Sequence, residues 1–109
     1  MQHIGVDEYV LDVLMPDLVG HDRSPGAFLV YLVLWTELYR TEERSTALSL
    51  QQLAGRTGLS KSAVQGAVRV LKRRRLVIVE KKSPTSVPAY TLERHWIKRR
   101  AKAARLLDR

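Results

Sequence analysis

The residues able to do chemistry gather between positions 60 and 86. If a helix runs on from Lys61, then Val64, Ala67, Val68 and Leu71 fall at i, i+3, i+4 and i+7 and make one apolar face. The opposite face then carries Lys61, Ser62, Gln65 and Arg69. These four side chains suit the edges of base pairs. Lysine and arginine donate to guanine, glutamine pairs with adenine, and serine takes either role. Gly66 lies among them and leaves room for another backbone to come close. A second set, Ser60, Arg73, Lys81, Lys82, Ser83, Thr85 and Ser86, offers donors for a phosphate backbone. The run Lys72-Arg73-Arg74-Arg75 points several ways on a helix, so Arg73 and one neighbour are the expected phosphate contacts.

Charge supports a polyanionic partner. The net charge is +8 over 109 residues. Residues 1–55 hold three Lys/Arg against eight Asp/Glu, whereas residues 56–109 hold sixteen against three. The cations therefore sit on the half that carries the base-edge donors.

The elements that must position these groups follow from pattern and punctuation. Val6, Tyr9, Val10, Val13 and Leu14 predict a short amphipathic helix over residues 6–15, ended by Pro16, with residues 16–23 as a connector. Ser24-Pro25 starts a second helix, running to about Thr41. It is apolar nearly all round from Phe28 to Trp35, more than one small domain is expected to bury. A polar loop follows, then a short strand at Ala47-Leu48. Ser49 caps a helix that Gly58 ends in left-handed geometry, and Ser60 caps the next, which ends near Arg74. Residues 76–79 and 89–92 read as two strands around the loop 83–88. Residues 93–108 read as a basic helix whose apolar residues are Trp96, Ile97, Ala101, Ala104 and Leu107.

The stretch SLQQLAGRTGLSKSAVQGAVRVLKRRRLV, residues 49–77, resembles the reading head of GntR-type and MarR-type winged-helix regulators. Leu53-Ala54, Thr57-Gly58, Leu59-Ser60, Ala63-Val64, Val68, Leu71 and Leu76-Val77 carry the resemblance without a gap. The family usually has glycine where Arg75 stands, so this chain gives up the easy left-handed cap there. Residues 1–46 match no particular regulator family. The resemblance implies a mainly α fold with a small β-hairpin wing, a winged helix-turn-helix with extra N- and C-terminal helices. It forms one domain over 1–109, divided into N-terminal helices (1–46), helix-turn-helix plus wing (47–92) and basic C-terminal helix (93–109).

Other chemistry finds no frame. His3, His21 and His95 are scattered without ligand spacing, and His21-Asp22 sits in a turn-prone connector. No catalytic residue, metal site or cofactor is expected. Cysteine is absent, which excludes disulfides and thiolate sites. The longest apolar run, Ala27 to Trp35, is too short to span a bilayer, and the start of the chain lacks the basic-then-apolar pattern of a signal peptide. The expectation is thus a cytoplasmic protein, not an enzyme and not bound to a membrane. It would bind double-stranded DNA sequence-specifically as a small transcriptional regulator and a homodimer held by its terminal helices. An origin-binding replication initiator uses the same head, and a winged-helix module that binds protein is the third reading. Any ligand cavity is expected in the helical core or at a dimer interface.

Overall fold

The computed structural model describes residues 1–97. They are mainly helical with a small three-stranded antiparallel sheet. Helix α1 spans Pro25–Thr41, strand β1 Thr46–Ala47, α2 Leu50–Thr57, α3 Lys61–Arg73, β2 Val77–Glu80 and β3 Ala89–Leu92. Two π-helical turns, Val10–Leu14 and Asp17–His21, precede α1.

Each long helix starts where a side chain can satisfy its first amides. Ser24 Oγ accepts from the Ala27 amide at 3.3 Å, and Pro25 stands in the first turn, where its missing N–H costs nothing. Ser49 and Gln52 cap α2 reciprocally at 3.0 and 2.8 Å. Ser60 Oγ accepts from the Ala63 amide at 3.1 Å at the head of α3. Gly58 closes α2 at φ 81°, as its position in the sequence predicts. Arg75 adopts φ 56° just past α3. The left-handed conformation is thus kept with an arginine in place of glycine, at a steric cost of about 1 kcal/mol.

The core forms around α1, which packs against α2, α3 and the second π turn and touches the sheet. Ala27, Val30, Tyr31 and Leu34 are wholly buried on it, and Phe28 and Trp35 nearly so. One chain therefore covers most of the helix that looked too apolar for it, and Leu29 is its only large aliphatic side chain left exposed. The crossing with α3 is close: a side chain at Gly26 would meet Leu59 at 3.3 Å and Ala67 at 3.9 Å. In the sheet, β3 lies between β1 and β2, with Thr46 opposite Tyr90 and Val79 opposite the same residue on the other side.

The N-terminal segment departs most from expectation. Helical backbone begins at Glu8 and continues through Pro16 to His21. Met15 and Asp22 donate to carbonyls five residues back, Val10 and Asp17. The wider turns on both sides of Pro16 absorb its missing donor. Burial supplies the reason for continuing: Val10, Leu14 and Leu18 form one stripe against the core. Val13 is exposed and Val6 lies outside the helix, so neither belongs to the buried face as the sequence spacing implied. Leu11, Met15 and Val19 make a second, parallel stripe that faces outward. Strands β1 and β2 shift by one residue from their expected limits, β3 keeps its own, and Leu48 is buried beyond β1.

The two ends of the described chain meet. Asp7 accepts from Arg94 at 2.7 Å and from the Trp96 indole at 2.9 Å, and Trp96 stacks on Tyr9 at 4.6 Å. Arg94 also lies over the Trp35 ring, whose indole N–H donates to the Gly5 carbonyl at 2.7 Å. Trp35 and Trp96 are packing residues, as expected. Helical backbone resumes at His95, and the rest of the basic helix, with Ala101, Ala104 and Leu107, lies outside the described residues.

Candidate nucleic-acid interface

Helix α3 buries Val64, Ala67 and Leu71 and turns its other faces outward. Val68 is only half-buried, so the inner face is narrower than the i, i+3, i+4, i+7 pattern suggested. Two outward rows follow from the helical period. Ser62, Gly66, Arg69 and Arg73 form the outermost row, opposite the core. Lys61, Gln65 and Lys72 form a flanking row that faces the β2–β3 hairpin.

Between that flanking row and the hairpin runs a groove of about 640 Å³. Lys61, Gln65, Arg69 and Lys72 line it from α3, Ser49 and Gln51 from α2, and Lys81, Thr85 and Ser86 from the hairpin. The structure therefore brings together three of the four expected base-edge donors and three of the expected backbone contacts. Ser62 and Arg73 stay on the outer row. Lys82 and Ser83 are exposed but do not line the groove, and Ser60 is engaged as a helix cap.

Electrostatically the groove is one-signed. No carboxylate lines it among the described residues. Lys61, Arg69, Lys72 and Lys81 form no ion pair with any described carboxylate, so their charges remain available to a partner. Apolar groups make the floor, including Val68, Val79 and Tyr90. Burial pushes the Tyr90 hydroxyl above its ordinary pKa, so it stays neutral at physiological pH. The arrangement can bind polyanions along its rim and offers amide and guanidinium donors between them.

Ser49 and Gln51 were missed by sequence reasoning, and Lys72 was left open as one of the two neighbours of Arg73. The signal for Lys72 was present, since it lies at i+7 from Gln65. Ser49 and Gln51 come from another helix, and only the packing of α2 on α3 brings them in.

The four-cation run divides. Arg74 is ion-paired with Asp17 and Asp22 and ties the end of α3 to the N-terminal segment. It is not free for phosphate, which leaves Arg73, Lys72 and Arg75 exposed. The same contact accounts for the carboxylates around His21. Asp17, His21 and Asp22 offer atoms within 4.8 Å of one another, a spacing that could suit a metal ion. The Arg74 guanidinium already supplies the positive charge there. Asp22 Oδ2 lies 3.3 Å from Arg74 Nε as an ion pair but makes no hydrogen bond. The His21 Nδ1–Asp22 Oδ1 contact of 3.0 Å lies on a largely exposed imidazole at the end of a helical turn, not in a connector loop.

A separate cavity of about 650 Å³ lies beyond the other end of β3, between Gly5–Asp7, the end of α1 and Arg94. It is neither inside the helical core nor on the α3 face. No described helix is long and apolar enough to cross a membrane. Comparison with protein-family models, with curated proteins and with solved structures gives no match to this chain.

Proposed function

We propose that this chain is a winged helix-turn-helix protein that binds double-stranded DNA sequence-specifically. Helix α3 enters the major groove and the β2–β3 hairpin serves as the wing. The observation that carries this reading is the groove with four unpaired cations, a glutamine and no carboxylate, built jointly by α3 and the hairpin. Gln65 and Arg69, with Lys61 and Ser62, read base edges; Arg73, Lys81, Lys82 and the wing hydroxyls hold phosphates. The chain acts by binding, in the cytoplasm, without a cofactor, and its role is that of a small transcriptional regulator. Origin binding in replication uses the same contacts, and genome-wide mapping of bound DNA separates promoters from an origin.

The working unit is a homodimer. The outward stripe Leu11, Met15 and Val19 supports this, because a second copy would remove it from water. An antiparallel pairing of the segment would set the acids Glu8 and Asp12 of one copy near Arg23 of the other. Two heads on one two-fold axis then read half-sites one helical turn apart, about 34 Å.

Fluorescence anisotropy with duplex DNA at increasing salt tests the reading. A dimer that neutralises about 6–10 phosphates gives a slope of log K against log[salt] of about −5 to −9. No binding, or a salt-independent affinity, would refute it.

A further inference from the structure

Val87 is 51% exposed, the most exposed large apolar side chain after Met1 among the described residues. It stands on the returning arm of the β2–β3 loop, between a hydrogen-bonded turn and β3, and the loop is held rather than free. The Ser86 amide donates to the Ser83 carbonyl at 3.1 Å, Ser86 Oγ donates to the same carbonyl at 2.8 Å, and the Ser83 amide donates to Ser86 Oγ at 2.9 Å. Pro84 and Pro88 fix φ on either side. The Pro88 carbonyl accepts from the Leu48 amide at 3.2 Å, which ties the arm back to the residue after β1. Valine itself is stiff at χ1. An apolar side chain is thus presented with little conformational freedom left to lose. Lys81 and Lys82 are exposed on the same hairpin, and Val87 borders the groove that α3 forms with it.

We propose that Val87 is an apolar wedge, entering the minor groove beside the site read by α3 and partly unstacking one base step so that the duplex bends. Phosphates and sugar edges offer an isopropyl group little, whereas the faces of a base step are apolar. Side chains that open a step this way are apolar, carried on a fixed backbone and flanked by groups that hold the phosphates. Pyrimidine–purine steps unstack most readily, so the wedge adds preference at a position that α3 does not touch. The inference rests on the duplex-binding reading and adds to it a deformation and the residue that causes it.

The test uses the full chain and a fluorescent duplex recovered by binding-site selection. Energy transfer between the duplex ends reports bending. A matched set of duplexes carries a one-nucleotide gap at successive steps, which removes the cost of unstacking. The wild-type chain should bend the intact duplex and bind one gapped copy about tenfold more tightly. Val87→Ala should lose the bend and bind the intact duplex about five- to tenfold more weakly, with most of that loss recovered on the gapped copy. Val87→Ile should bend at least as far as wild type. The melting temperatures should coincide, since the position is exposed. A wild-type chain that leaves the duplex straight, or a Val87→Ala chain that bends and binds it equally, would overturn the wedge and leave the DNA reading standing. A chain that binds no duplex at any salt would overturn both.

Discussion

Gly66 gives a test in which stability and binding should move in opposite directions. It sits inside α3, where glycine costs about 0.5–1 kcal/mol relative to alanine. Nothing inside the chain requires it there. A Cβ built at this position meets only the flexible end of Arg69, at 3.9 Å, an ordinary van der Waals contact. Gly66→Ala should therefore stabilise the fold by about 0.5–1 kcal/mol, which for a domain of this size raises the melting temperature by about 2–8 °C. The same methyl lies on the outermost row of α3, between Ser62 and Arg69, where a duplex would come closest. Filling a close-packed contact costs about 1–2 kcal/mol, so DNA affinity should fall by about five- to thirtyfold. Calorimetry and anisotropy on one preparation read both quantities. A higher melting temperature with unchanged affinity would remove the outer row of α3 from the interface. An unchanged or lower melting temperature would show that the glycine has a role within the fold that its surroundings do not reveal.

Four further outcomes are expected. Gln65→Ala and Arg69→Ala should each relax preference at defined base positions by about 1–3 kcal/mol, whereas Lys82→Ala should weaken all sequences alike; an unaltered selected sequence for both reader variants would refute their assignment. Arg75→Gly should stabilise the fold by about 1 kcal/mol, because φ 56° suits glycine, and thermal melting of the variant checks it. The buried Tyr31 hydroxyl has no hydrogen-bond partner, and burial raises its pKa above the ordinary 10.0, an effect that nearby Arg94 partly offsets. Removing that unpaired hydroxyl should make Tyr31→Phe more stable by about 1–3 kcal/mol, and because the raised pKa costs the wild-type fold stability only as pH rises above 10, the variant should fall less steeply in alkaline denaturation; parallel alkaline slopes would count against it. Met15→Glu should convert a dimer to a monomer in light scattering without unfolding it, since Met15 is exposed in a single copy, and a wild-type chain already monomeric at micromolar concentration would refute the dimer.

The local rules that the sequence obeys determined α1, α2, α3 and the hairpin strands. Ser24, Ser49 and Ser60 could be read as caps because a serine before an apolar-periodic run has one strong local use. Gly58 could be read as a stop for the same kind of reason. The outward face of α3 was legible because core residues spaced at the helical period leave the opposite residues outward wherever the helix sits. What the tertiary structure decided depends on contacts between segments distant in sequence. The helix through Pro16 persists because Leu14 and Leu18 are both buried against the core, which outweighs a local preference at Met15 that is only a bias. Arg74 looks like its neighbours in the run 72–75, yet the carboxylates that engage it stand more than fifty residues earlier. Val87 reads as an ordinary loop valine, and its exposure on a stiffened loop arm follows from the adjacent Ser83–Ser86 hydrogen bonds and the tie from Pro88 to Leu48. Helical period and capping act within a few residues and can be read along a line. Burial, ion pairing and the meeting of α3 with the β2–β3 hairpin are sums over neighbours that only the folded chain brings together.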